Sequence, residues 1–180
     1  MIAAARRDVA GIVLVGGSGV SPAAQMRYTT ERQLREAGYG DAEVTDLLGL
    51  RSVAEAYLRH EVDGRVLQAE LDRFKHAPWF PLSWLPPEVP LEAPDWEMEF
   101  DPAPVLRALR CPVLAVYGED DRWVPIEASV AVLEATVAEL EVARIPGGGH
   151  GPTTDGEGGG EVLPAYRERL ADWLGRLLDR

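Results

Sequence analysis

The sequence predicts an α/β fold in which a short parallel sheet of about three strands is flanked by helices. Three observations support this prediction. Two short runs, at 12–16 and 111–118, are almost continuously apolar, which is typical of strands buried on both faces of a parallel sheet. A third predicted strand, 141–147, follows the second after one helical segment, and this order favours parallel strands joined by right-handed crossovers. A long helical region separates the first strand from the second.

The first part of the chain is predicted to be mainly helical around the first strand. Residues 1–8 are predicted to be the end of a helix. Residues 22–76 carry apolar side chains three and four positions apart, which is the spacing of amphipathic helices, and Pro22 suits a first helical turn. Residues 77–104 are dense in proline and tryptophan. We predict that this segment is irregular, because proline disfavours helix interiors and central strands.

The chain after residue 100 has a more regular pattern. Residues 101–109 are predicted to form a short helix with Asp101 at its cap. A helix at 125–140, with Pro125 in its first turn, connects the second and third strands. Residues 161–180 have the apolar spacing of an amphipathic closing helix.

The composition excludes several classes of function. The chain has 180 residues, 30 of them acidic and 18 basic, so its net charge of −12 argues against binding to nucleic acid or to an anionic membrane. No apolar run is long enough to cross a bilayer, and "MIAAARR" lacks the order of a signal peptide, so we expect a cytoplasmic protein. The single cysteine excludes an internal disulfide and a cysteine-based zinc site. We expect no cofactor and no metal site.

Titratable residues follow two of the predicted strands at the point where each strand ends. The loop "YGEDDRWVP" after the second strand contains two aspartates, and the loop "IPGGGHGP" after the third contains His150. Parallel sheets place their reactive groups at the carboxyl ends of the strands. An aspartate and a histidine at adjacent strand ends form an arrangement in which the carboxylate orients the imidazole for proton transfer.

At these residues the chain resembles the last third of an α/β-hydrolase. In that family the seventh strand ends in a pattern G-x-x-D-x-x-V-P that carries the triad acid, and Gly118, Asp121, Val124 and Pro125 match it. The resemblance implies that Asp121 is the triad acid, since Asp120 is out of register. It also implies that His150, in a glycine-rich loop after the eighth strand, is the general base.

The resemblance extends to both ends of the chain. "DVAGIVLVGG" is similar to the sixth strand of the family, and "SGVSP" leads into a helical cap. It implies a hydrolase core at 1–21 and 101–180 and a cap at 22–100 that contains the proline- and tryptophan-rich segment. Candidate residues for an apolar substrate pocket are the aromatic side chains Trp79, Phe80, Trp84 and Trp123.

The family's nucleophile motif, G-x-S-x-G, does not occur in this sequence. Ser18 lies in "GGSGV", where Val20 replaces the last glycine, and Pro22 interrupts the helix that should follow the serine directly. We therefore do not assign Ser18 as the nucleophile. The resemblance implies that the nucleophile and the first five strands lie upstream of Met1. The chain alone is then expected to be inactive, and the strand at 12–16 is expected to expose an edge through which copies self-associate.

The resemblance implies hydrolysis of an ester or amide bond in a small molecule or a peptide by Ser-His-Asp chemistry. Esterase and peptidase activities both remain open. The competing hypothesis is a non-catalytic remnant, or an interaction module, that retains the hydrolase fold. A phosphate-binding turn at "GGSGVS" is disfavoured, because this turn lacks the lysine of one phosphate motif and has Pro22 at the third glycine of the other.

Overall fold

A computed structural model describes residues 8–90 and 97–179 of the chain. It contains a three-stranded parallel sheet in the order β1 (Ile12–Val15), β2 (Val113–Gly118) and β3 (Leu140–Ile145). Ile12 is opposite Val113, and Val113 is opposite Leu140. The short parallel sheet that the sequence predicts is therefore confirmed.

Six α-helices and one 3₁₀-helix lie within the described residues. In chain order they are α1 (Pro22–Glu36), α2 (Asp41–Leu58), α3 (Gly64–Phe74), the 3₁₀-helix (Phe80–Ser83), α4 (Ala103–Arg107), α5 (Ile126–Thr136) and α6 (Pro164–Leu178). In the part of the chain that the structure describes, no helix is both long and apolar enough to cross a membrane.

The chain divides into two compact units. The sheet unit comprises Met1–Ser21 and Asp101–Arg180, and the helical unit comprises Pro22–Phe100. The sheet unit contains all three strands together with α4, α5 and α6, whereas the helical unit contains α1, α2, α3 and the 3₁₀-helix.

The central strand β2 is buried on both faces, which explains its continuous apolar sequence. Val113, Ala115 and Tyr117 point into one core, which also contains residues of α4 and α5. Leu114 and Val116 point into a second core on the opposite face, with residues of β3 and α6. Because successive side chains of a strand alternate between faces, only a strand covered on both sides is apolar at every position.

The helical unit has a separate apolar core. Its buried members come from α1, α2, α3 and the 3₁₀-helix region, and they are Leu34, Val44, Leu47, Leu50, Ala54, Leu67, Leu71, Phe74, Trp79 and Phe80. The Trp79 ring packs against Phe74 and Phe80, with ring centroids 5.3 Å and 6.5 Å apart. These contacts fix the start of the proline-rich segment to the helices before it.

The proline-rich segment is more regular than the sequence predicts. Residues 80–83 form a 3₁₀-helix because Pro81 lies in its first turn, where the missing N–H donor has no intrahelical partner to lose. Helix α4 begins at Ala103, and the Asp101 carboxylate accepts a hydrogen bond from the Ala103 N–H at 2.9 Å. The predicted helix end at 1–7 and the part of the segment at 91–96 lie outside the described residues.

Candidate active site

Asp121 and His150 meet at one edge of the sheet. Asp121 lies three residues after the end of β2, and His150 lies five residues after the end of β3. Since β2 and β3 are neighbouring parallel strands, their carboxyl ends emerge side by side. The Nδ1 atom of His150 lies 3.0 Å from the Oδ2 atom of Asp121, which is hydrogen-bonding distance.

The Asp121 carboxylate is held rigidly by the backbone that follows it. Its side chain is fully buried, and its Oδ1 atom accepts hydrogen bonds from the N–H groups of Trp123 at 2.7 Å and Val124 at 3.2 Å. A buried carboxylate is stabilised when N–H groups donate to it. One oxygen is thus bound to the protein backbone, and the other is directed at the imidazole.

The His150 imidazole is accessible as well as oriented. Its side chain is 43% exposed, although its Nδ1 atom contacts a fully buried group. With Nδ1 engaged by Asp121, Nε2 is the ring nitrogen that remains for proton transfer. An imidazole held in this way can accept a proton at Nε2 if Nδ1 carries the proton that faces Asp121.

Gly118 allows the two loops to cross. A Cβ atom at this position would overlap the carbonyl oxygens of Gly148 and Gly149, so only glycine fits. Just beyond this crossing, the N–H of Asp120 donates to the Gly148 carbonyl at 2.8 Å. The distance between Asp121 and His150 depends on this close approach of two backbones.

The end of β1 packs against the imidazole. Gly16 has a φ of +56°, and a Cβ atom added there would lie 3.0 Å from both the Nδ1 atom and the carbonyl oxygen of His150. The next residue is also fixed, because the Tyr117 hydroxyl donates to the Gly17 carbonyl at 2.8 Å. The roles of Gly16 and Tyr117 were not predicted from the sequence; the paired glycines directly after an apolar strand were the available signal.

Ser18 takes part in its own turn. Its hydroxyl donates to the Val20 carbonyl and accepts from the Val20 N–H, each at 3.3 Å. Within the described residues, the hydrogen bonds found for this hydroxyl are local, and the structure does not pair it with His150. Its position is that of a residue that shapes the turn after β1.

The four aromatic pocket candidates lie in different surroundings. Trp79 and Phe80 are 4% and 6% exposed and belong to the core of the helical unit. Trp84 is 55% exposed, donates to Gln33 Oε1 at 2.9 Å, and lines an apolar cavity of about 130 Å³ within the helical unit. Trp123 is half-buried and lines a cleft of about 280 Å³ together with His150. Of these candidates, Trp123 is the one that the structure places beside Asp121 and His150.

Comparison with solved structures identifies the fold. VinJ superposes on 98% of this chain with a TM-score of 0.53 and 15% sequence identity. A proline iminopeptidase from Mycobacterium smegmatis superposes on 98% with a TM-score of 0.52 and 12% identity. Both are α/β-hydrolase-fold proteins. This chain has the α/β-hydrolase fold.

The match covers only part of each α/β-hydrolase. This chain spans 61% of VinJ and 60% of the iminopeptidase. A thermophilic esterase from Thermogutta terrifontis gives a TM-score of 0.45 at 19% identity, covering 93% of this chain and 56% of the esterase. No family model and no curated protein matches the sequence.

Side chains that could bind a metal ion do not cluster in the described part of this chain. The residues of 8–90 and 97–179 contain no group of three or more histidine, cysteine, aspartate or glutamate side chains that could hold a metal ion.

Replacing Gly118 with alanine should separate the two loops. The added methyl group overlaps two backbone carbonyls, so we expect Gly118→Ala to lower the free energy of unfolding by about 1–3 kcal/mol in urea titrations. Gly49→Ala is the matched control, because Gly49 lies inside α2 with open space around it. That change should stabilise the chain by about 0.5–1 kcal/mol. Equal changes in the free energy of unfolding for the two variants would contradict the close approach of Gly118 to Gly148 and Gly149.

Tyr117 should ionise late in an alkaline titration. Burial raises the pKa of Tyr117 to about 12, whereas an exposed tyrosine has a pKa of about 10. The neutral phenol therefore stabilises the folded state below pH about 10, and this contribution is lost as the pH rises through about 12. Absorbance of tyrosinate should show a step near pH 12 that disappears in Tyr117→Phe and persists in Tyr166→Phe. A wild-type titration curve without a step near pH 12 would refute the prediction that the Tyr117 hydroxyl is buried.

Proposed function

We propose that this chain supplies the acid–base pair of an α/β-hydrolase that cleaves an ester or amide bond by Ser-His-Asp chemistry. The observation that carries the proposal is the 3.0 Å contact between His150 Nδ1 and Asp121 Oδ2. It occurs at the carboxyl edge of the sheet, where open α/β folds bind their ligands. The structural similarity to VinJ and to the iminopeptidase supports the proposal at the level of the fold.

In the proposed mechanism His150 accepts a proton and passes it on once in each of two half-reactions. Its Nε2 atom accepts the hydroxyl proton of a serine while the serine oxygen bonds to the substrate carbonyl carbon. Asp121 stabilises the imidazolium that forms. The proton then passes to the leaving alkoxide or amine as the scissile bond breaks, which leaves an acyl-enzyme. In the second half, a water molecule gives a proton to His150 Nε2 as its oxygen bonds to the acyl carbon. That proton passes to the serine oxygen as the acyl–serine bond breaks, which releases the acid and restores the serine.

The nucleophile in this proposal comes from outside the 180 residues, as in an N-terminally truncated hydrolase. The sequence contains no G-x-S-x-G motif, and the Ser18 hydroxyl bonds locally. Among the described strands, β1 pairs only with β2, so its other edge can accept a further parallel strand. We infer that the chain by itself does not form an acyl-enzyme.

The proposed substrate is a small ester, amide or peptide. Trp123 supplies an apolar wall in the cleft that His150 lines. We assign the helical unit the role of a cap domain, in which Trp84 faces a cavity while Trp79 and Phe80 support the core. Ester and amide hydrolysis use the same acid–base steps, so the substrate class stays open between them. The mechanism requires no cofactor.

A second candidate function is a non-catalytic interaction module that retains the hydrolase fold. The observation that favours it is the outer edge of β1, which pairs with no other strand among the described residues and where Val15 is 39% exposed. Unpaired strand edges with apolar side chains bind other strands. In this alternative the same edge carries self-association between copies of the chain.

A charge on the β1 edge should weaken self-association. We expect the wild-type chain to show concentration-dependent association in sedimentation velocity, and Val15→Lys to shift it towards monomer. Val66→Lys is the control, since Val66 is a similarly exposed valine on α3. A wild-type chain that remains monomeric at all concentrations would exclude association through β1.

A fluorophosphonate probe tests the proposed hydrolase. Such a probe labels only a serine that an adjacent base activates. We expect no labelling of the 180-residue chain. We also expect an in-frame G-x-S-x-G in the coding DNA upstream of Met1, and labelling of that serine in the extended protein. His150→Ala in the extended protein should slow labelling on the order of 10³-fold or more.

Each result of this experiment separates the hypotheses. Labelling of the 180-residue chain at Ser18 would overturn our placement of the nucleophile. No labelling of the short chain, together with no upstream motif, would favour the interaction module. Labelling of the extended protein that is insensitive to His150→Ala would refute the role of the acid–base pair.

A further inference from the structure

The loop between the catalytic histidine and α6 is built around one carboxylate. Asp155 Oδ1 accepts hydrogen bonds from the Thr153 hydroxyl at 2.7 Å and from the N–H groups of Glu157 and Gly158 at 3.0 Å and 3.1 Å. Asp155 Oδ2 accepts from the Gly159 N–H at 3.0 Å. The ends of the loop are joined by the bridge between Thr153 and Val162. A glycine-rich stretch is thereby folded into a defined turn.

The Asp155 carboxylate accepts all of these hydrogen bonds from groups within the same turn. The Thr153 hydroxyl and the N–H groups of Glu157, Gly158 and Gly160 lower the pKa of Asp155 to about 2. Thr153 also links the two halves of the turn, because its oxygen accepts the Gly158 N–H at 2.8 Å. The carboxylate is therefore an anchor for several consecutive backbone donors, although its side chain lies at the surface.

This turn packs against the backbone on both sides of His150. Before the histidine, a Cβ atom at Gly149 would lie 2.8 Å from Gly156 Cα. After it, a Cβ atom at Gly151 would lie 2.6 Å from the Gly158 nitrogen, and the Gly151 N–H donates to the Gly156 carbonyl at 2.6 Å. The glycines that flank the histidine are thus in direct contact with the turn that Asp155 organises.

We propose that Asp155 is a positioning residue for His150: its carboxylate folds residues 153–162 into a turn that holds the His150 backbone where the imidazole Nδ1 lies at hydrogen-bonding distance from Asp121. The inference rests on the proposed function, since the orientation of the imidazole matters only if His150 transfers protons. Asp121 orients the ring through its side chain, and Asp155 fixes the backbone from which the ring extends.

The glycine-rich segment around His150 needs contacts from outside the segment to hold one conformation. The segment around His150 has glycine at 147, 148, 149 and 151, and glycine loses more backbone entropy on ordering than any other residue. A loop of this composition has little local preference for one conformation. The Asp155 turn supplies contacts at Gly149 and Gly151 that a bare glycine loop lacks.

Proton NMR of the 180-residue chain tests the inference without requiring turnover. The Nδ1 proton of His150 should give a far-downfield signal in the wild-type chain, because a hydrogen bond to the buried Asp121 carboxylate deshields it. Asp155→Ala should abolish this signal, while the amide signals of β2 stay in place and show that the sheet is intact. Asp155→Asn retains one acceptor oxygen and should restore the signal in part.

Glu157→Ala is the matched control, since it removes a neighbouring carboxylate but keeps the N–H that Asp155 binds. It should leave the downfield signal unchanged. A signal that survives unaltered in Asp155→Ala would overturn the positioning role alone. If Asp155→Ala fails to fold, Asp155→Asn decides, and a wild-type signal in that variant would overturn the inference. A wild-type chain with no downfield signal would refute the Asp121–His150 hydrogen bond, and with it the proposed function.

Discussion

The parallel pairing of β2 with β3 is the constraint on which the candidate site depends. It sets Gly118 opposite Ile145, and the Glu119 N–H extends the pairing by donating to the Ile145 carbonyl at 3.0 Å. At Gly118 the segment after β2 crosses the segment after β3, and within a few residues the two segments place a carboxylate and an imidazole in contact. A shift in the register of these strands would separate the two side chains. The apolar cores on both faces of β2 hold this register. Both the packing of the sheet and the contact between Asp121 and His150 therefore depend on β2.

Two aspartates in this region are held by the same kind of hydrogen bond but contact different parts of the molecule. Asp121 and Asp155 each accept hydrogen bonds from N–H groups a few residues further along the chain. Asp121 is buried, accepts backbone N–H groups through Oδ1 and directs Oδ2 at His150. Asp155 lies at the surface and uses both oxygens within its own turn. Burial and the direction of the second oxygen distinguish the carboxylate that contacts His150 from the one that shapes a loop.

The sequence predicts the regular elements of the sheet unit well, because burial on both faces leaves a continuous apolar run at β2. The contact between Asp121 and His150 also follows from strand order and from the resemblance to α/β-hydrolases. Gly16, Gly118 and Asp155 could not be assigned in this way, since their roles depend on close approaches between segments distant in the chain. The aromatic residues illustrate a second limit. Trp79 and Trp123 look alike in sequence, yet one lies in the core of the helical unit and the other beside His150.

The central claim is that Asp121 fixes His150 as an oriented base, and the tautomer of the imidazole tests it most directly. In the 180-residue chain labelled with ¹⁵N-histidine, the neutral His150 ring should carry its proton on Nδ1, with Nε2 unprotonated and able to accept. In Asp121→Asn the carboxylate that selects this form is gone, and the tautomer population should shift towards Nε2–H. A wild-type His150 that is already protonated mainly on Nε2 would contradict the account, because such a ring offers no acceptor to a nucleophile.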